Sequence, residues 1–206
     1  MFELIRKHAI TLAIFAALTT AATAIVYQLT KDTILAQTHQ ERLSLLSEVL
    51  PKEMQSPRLL STCVQYTDDR LGKMAKPVYS VIQDGKRIAA VIEATAPDGY
   101  SGAIRLLVAA KIDGTVLGVR TLEHRETPGL GDKIELRISN WITKFTGLQV
   151  KGSDDPSWAV KADGGQFDQF AGATITPRAV VNAVKRATLV IQSLPSDLSN
   201  LPTCGY

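Results

Sequence analysis

The sequence predicts an α+β domain standing behind one membrane-length helix. Three observations predict it: an uncharged run near the N-terminus, two hairpin signals in succession, and a strongly periodic helical segment near the C-terminus with no alternation of strand and helix between them. At 206 residues, 45% hydrophobic and 21% charged, the chain has the length and composition of one ordinary domain plus an appendage. A formal net charge of +3, spread without a Lys/Arg cluster, leaves no electrostatic footprint for nucleic acid.

Arg6 and Lys7 precede the run Ala9 to Leu29, and a helix over 9–30 is long enough to cross the roughly 30 Å apolar core of a bilayer. Cations before the run, with Lys31 and Asp32 cancelling after it, predict residues 1–8 in the cytoplasm and the remainder exported. Ala22-Thr23-Ala24 also fits a signal-peptide cleavage site, but the apolar stretch continues through Ile25, Val26 and Tyr27, longer than a signal core needs, which favours retention as an anchor. Ala9, Ala13, Ala17 and Ala21 recur every fourth residue, either as a stripe for close approach of another helix or simply because alanine is common in such segments.

From Asp32 to Leu50, the residues Ile34, Leu35, Leu43, Leu46, Val49 and Leu50 recur at mostly helical intervals, and Pro51 supplies a stop. Residues 51–77 contain three prolines and no clear period, so 31–77 reads as a helical and then irregular connection ahead of a domain over 78–206. Asp84-Gly85 between Val78–Ile82 and Arg87–Ala94, and Asp113-Gly114 between Ala103–Ile112 and Thr115–Leu122, predict two hairpins and hence an antiparallel sheet. Glycine-rich loops at 97–102 and 127–131 fall at strand ends.

Asp132 as N-cap, the stripe Ile134, Ile138, Trp141, Ile142 and Phe145, and Gly147 as stop predict a helix packed on the core. Trp158–Val160 reads as a short strand and Gly164-Gly165 as a turn. The last element runs from Pro177 to about Leu194, with Val180, Val184, Ala187 and Ile191 on one side and Thr176 as its N-cap.

Cys63 and Cys204 form no C-x-x-C, which gives zinc and dithiol chemistry no support. In an oxidising compartment they are either a disulfide that ties the tail to the start of the domain or two unrelated thiols. His8, His39 and His124 lack ligand spacing, so no metal is expected.

The segment Asp168-Gln169-Phe170-Ala171-Gly172-Ala173-Thr174-Ile175-Thr176-Pro177 leads small residues and hydroxyls to a helix start, a place that suits an anion such as phosphate. Arg178 in the first turn opposes the helix dipole unless an anion lies nearby. Ordinary capping by Thr174 and Thr176 would account for the hydroxyls equally well.

Asp168 through Thr174 resembles the D-x-x-[ST]-G-A-T signature of proteins flavinylated by an FMN transferase, with Ala171 departing from the usual Ser or Thr. With Glu126-Thr127-Pro128-Gly129-Leu130-Gly131 and the N-terminal span, the chain is similar to the RnfG family, the G subunits of the Rnf (Rsx) electron transport complex, which are related to the C component of the sodium-pumping NADH:quinone oxidoreductase. The resemblance implies that 78–206 is a periplasmic FMN-binding domain on a single-pass inner-membrane anchor. It makes Thr174 the residue esterified by FMN, with Asp168, Ala171, Gly172, Ala173, Thr176 and Arg178 around the attachment point. Glu126, Thr127, Pro128, Gly129, Leu130 and Gly131 are then expected near the flavin ring, and Tyr100 and Ser101 are further candidates.

The implied role is an electron relay between ferredoxin and NAD, coupled to ion movement, with a flavin transferase needed for maturation and the other complex subunits as partners. No side chain is expected to be catalytic. The chain has no GxGxxG and no iron–sulfur cysteine set, so NAD and clusters would belong to those partners. One alternative is a cofactor-free, membrane-anchored adaptor. Another is a hydrolase built on Ser101, which fails because G-x-S-x-G needs glycine where Ala103 stands.

Overall fold

The computed structural model describes residues 2–204; the side chains of residues 2, 4, 32–36, 38 and 39 lie outside what it describes, and with them those of Ile34, Leu35 and His39. The chain divides into two units, Met1–Arg42 and Leu43–Tyr206. The helix α1 spans Phe2–Val49 without a break at residue 31. Within it, Ile5–Lys31 is 27 residues long with a mean hydropathy of 2.1 and has its side chains on the outside. The hydroxyls of Thr11, Thr19, Thr23 and Thr30 donate to carbonyls four residues earlier at 2.8–3.0 Å, so these polar groups are satisfied within the helix, as an apolar surrounding demands.

In the second unit five strands form an antiparallel meander in sequence order: β1 (Val64–Asp68), β2 (Gly72–Gln83), β3 (Lys86–Ala96), β4 (Ile104–Lys111) and β5 (Val116–Glu123). The β2–β3 turn takes positive φ at Asp84 and Gly85, the requirement of a two-residue hairpin that follows the sheet twist. Central strands β3 and β4 are apolar on both faces because both are covered. On one side Val78, Ala90, Ile92 and Val108 pack beneath α2 (Ile175–Gln192) and an aromatic cluster. On the other, Tyr79, Val91, Leu107 and Ala109 pack against Leu46, Val49, Leu50 and Leu59. Gly118 in β5 admits the backbone of Val49 so closely that a Cβ would lie 2.6 Å from its carbonyl oxygen.

The stretch 51–77, expected to be irregular, contains β1 and the first half of β2. Their residues are exposed or half-buried, so no buried face imposes a two-residue period that pattern reading could detect. Edge strand β1 is covered by the C-terminal tail. A disulfide joins Cys63 to Cys204 with Cα atoms 5.5 Å apart, Val64 bridges Thr203, and the Gln65 N–H donates to the Pro202 carbonyl at 2.8 Å.

The helix expected over 132–146 is instead two short 3₁₀ turns, Gly131–Ile134 and Asn140–Phe145. Glu135 between them is extended, and the Ser139 hydroxyl restarts the turn by accepting the Trp141 N–H at 3.1 Å. The apolar stripe still packs: Ile134, Trp141, Ile142 and Phe145 are buried, while Ile138 is exposed. In place of a strand at 158–160, Val160 makes one parallel bridge to Phe167. Helix α2 begins earlier than expected, with Thr174 in the N-cap position and Thr176 inside the first turn.

Candidate functional site

Three segments converge on a cleft of about 280 Å³: Tyr100 from the β3–β4 loop, Glu126, Thr127, Leu130 and Gly131 from the loop after β5, and Gly172 to Thr176 at the start of α2. Each segment is held by local chemistry. The 168–174 loop places Phe170 in a cluster with Trp141, Phe145, Trp158 and Phe167, whose rings stack, tilt or meet edge-on at 4.6–6.0 Å. Trp141 Nε1 donates to the Asp168 carbonyl at 2.8 Å, and the Ala173 N–H closes a turn onto Phe170 at 3.0 Å with Gly172 at φ +78°. The 126–131 loop folds over one acceptor, the Thr127 carbonyl, which receives the N–H groups of Leu130 and Gly131 at 3.1 Å and of Asp132 at 3.4 Å.

Glu126 ties the three segments together. Although only 5% exposed, its carboxylate is satisfied. Oε1 accepts the Ser101 N–H at 3.0 Å, and Oε2 accepts the Thr176 hydroxyl. Gly131 sits so near this pair that an added Cβ would lie 2.9 Å from both Glu126 Cβ and Thr176 Oγ1. Behind Glu126, its own N–H donates to His124 Nδ1 at 3.0 Å, and His124 Nε2 lies 2.5 Å from Glu135 Oε1. Arg137, first, and then His124 hold the Glu135 carboxyl down to about 2 against the opposing effect of burial.

Thr174 is exposed at the head of α2 and its side chain makes no capping hydrogen bond, so its hydroxyl borders the cleft without a role in the helix. Leu130, Ile175 and Tyr100 border the same cleft with 40%, 43% and 67% exposure, an apolar rim that an isolated domain has no packing reason to display. Exposed hydroxyl, helix N-terminus and apolar rim together fit a phosphate joined to a flat aromatic ring system.

Not every expected residue lines the cleft. The Asp168 carboxylate turns to Lys144 and Lys161, whose hydrogen bonds lower its pKa to about 2. Arg178 is paired with Asp163 at 2.6 and 2.8 Å; that carboxylate is the anion beside it in the first turn. Ala171, Pro128 and Gly129 are exposed outside the lining, and Ser101 takes part through its backbone N–H. Ser101 also sits between two strands, whereas a nucleophile elbow needs a strand-to-helix turn. Sequence reasoning missed Ile175, His124 and Glu135; only the interval of two from His124 to Glu126 hinted at the pairing. Among the described residues no group of His, Cys, Asp or Glu could hold a metal ion.

The family model described as FMN-binding domain matches residues 99–188, a range containing every segment of the cleft, and the one described as RnfG N-terminal region matches residues 1–49. The chain is 60% identical to the G subunit of the ion-translocating oxidoreductase complex of Escherichia coli K12, over the full length of both chains. It is 56% identical to the protein of the same name from Salmonella typhimurium LT2, again over all of both. With that of Pectobacterium atrosepticum it shares 54% identity, over 100% of this chain and 99% of the relative.

Proposed function

The chain belongs to the family of G subunits of ion-translocating oxidoreductase complexes and carries an FMN-binding domain, and from that premise we propose that it is an electron relay whose FMN is joined through a phosphoester to Thr174. The observation that carries this reading is the exposed Thr174 hydroxyl, uncommitted to capping, beside a cleft with an apolar rim. Bound FMN supplies the ability to pass electrons singly or in pairs.

The chain's own residues do the positioning. Thr174 provides the tether, and the first N–H groups of α2 face the phosphate side with the positive end of the helix dipole. Leu130, Ile175 and Tyr100 offer apolar surface to the ring, while Gly172 keeps the approach open: an added Cβ would meet only Leu130, at 3.5 Å. Glu126 and Thr176 satisfy each other and hold the loops at a fixed separation.

The same reading puts the domain in the periplasm behind an inner-membrane anchor. Arg6 and Lys7 favour a cytoplasmic N-terminus, and the disulfide suits an oxidising compartment. Both cysteines are taken up by that disulfide, which leaves no thiolate for an iron–sulfur cluster; that step, like the NAD and ion-conducting ones, falls to other subunits in this reading, with ferredoxin and NAD as the terminal redox couples. A flavin transferase installs the FMN. A covalent tether serves this side of the membrane, where a dissociated flavin could not readily be replaced.

Purified from cells that contain the transferase, the chain should fluoresce as a flavin band in a denaturing gel, and Thr174→Ala should be dark while remaining folded. A dark unaltered chain would instead support a cofactor-free adaptor, and a fluorescent Thr174→Ala would move the attachment elsewhere.

A further inference from the structure

We infer that His124 is a positioning residue for this cleft: held as a neutral imidazole with its proton on Nε2, it anchors the 126–131 loop through Nδ1. A backbone N–H can only donate, so the 3.0 Å contact from Glu126 N requires Nδ1 to accept. The single proton of the neutral ring then lies on Nε2, where Glu135 Oε1 accepts it at 2.5 Å. Glu135 is in turn held on both oxygens by Arg137, so the imidazole is oriented from behind by a fixed carboxylate. The residue anchored is the one whose side chain gathers Ser101 and Thr176, so the orientation of one ring reaches all three cleft segments.

A second proton would have to enter at Nδ1. That nitrogen would then be a donor facing the Glu126 N–H, and the anchor would be lost. The charged groups around the ring are Glu135 with Arg137 and the chain neighbours Glu123, itself paired with Arg105, and Arg125, which is exposed. Glu126 turns its carboxylate away toward Ser101 and Thr176.

The test compares two variants of the full chain in detergent. His124→Asn keeps an acceptor where Nδ1 stands, and His124→Gln keeps a polar group near Nε2 but removes that acceptor. Hydrogen exchange of the 126–131 amides needs no flavin: protection should match the unaltered chain in His124→Asn and be lost in His124→Gln. The optical arm rests on the flavin reading above. Visible circular dichroism of the bound flavin should match the unaltered chain in His124→Asn and change in His124→Gln. Equal exchange in the two variants, or the same flavin signal in both, would overturn the proposal. A chain without flavin in a denaturing gel would sink the flavin reading alone, because the exchange arm would still decide the role of His124.

Discussion

Thr174 and Gly131 both border the cleft, one through its hydroxyl and the other through its lack of a side chain. The threonine contributes a hydroxyl at a helix head, and its neighbour Thr176 gives its own hydroxyl to Glu126. Gly131 contributes the absence of a Cβ; Gly131→Ala would force the new methyl against Glu126 Cβ, Oε2 and Thr176 Oγ1 at 2.9–3.0 Å. Overpacking of this kind costs about 1–3 kcal/mol, so Gly131→Ala should unfold at lower temperature than the unaltered chain, measured by circular dichroism, and an unchanged midpoint would mean that the loop yields freely. Asp168 makes a pH-dependent contribution. Its pKa falls from the usual 3.8 to about 2 in the folded chain, so its stabilisation is present above pH 3.8 and disappears as the pH drops toward 2. Glu135 falls from 4.5 to about 2 and acts in the same direction. Replacing Lys144 and Lys161 by methionine should therefore flatten, without abolishing, the loss of thermal stability in that window. At this scale the sequence singled out Thr174 because the segment resembling a flavinylation signature ends on it. Arg178 was less legible: its partner Asp163 lies 15 residues away and no local pattern announces the pair.

Among the elements, legibility followed the presence of a buried face. Helix α2 shows its period because Val180, Val184, Ala187 and Ile191 all face the sheet, and the hairpins show theirs because Asp84-Gly85 and Asp113-Gly114 are turn chemistry in themselves. The segment 132–146 carries a helical stripe yet forms two 3₁₀ turns, since Glu135 is drawn out to His124 and Arg137 and breaks the ladder. The contact with His124, 11 residues earlier, leaves no local trace. The edge strand β1 was equally silent, and its cover is a tail 141 residues distant through the disulfide. Closing so long a loop constrains the unfolded chain, and its removal costs about 2–5 kcal/mol. The double substitution Cys63→Ala, Cys204→Ala should lower the urea midpoint accordingly and expose the β1 amides to exchange first. An unchanged midpoint would assign the tail's hold to its backbone hydrogen bonds alone.

For the whole molecule, a chain of a family of complex subunits joins a membrane-length apolar helix to one FMN-binding domain. Its cleft is bordered by exposed Leu130, Ile175 and Tyr100, which would leave a bound ring accessible at an edge, as the proposed relay requires. The segment Ile5–Lys31 is long and apolar enough to cross a membrane. The sequence conveyed this division of labour because both parts are continuous in the chain, whereas the cleft itself is assembled from three segments up to 76 positions apart, from Tyr100 to Thr176. The account stands most directly on the mass of the peptide covering Asp168–Arg178, isolated from cells that possess the transferase. It should exceed its amino-acid mass by FMN less one water, with fragmentation assigning the addition to Thr174; a peptide of unmodified mass would contradict it.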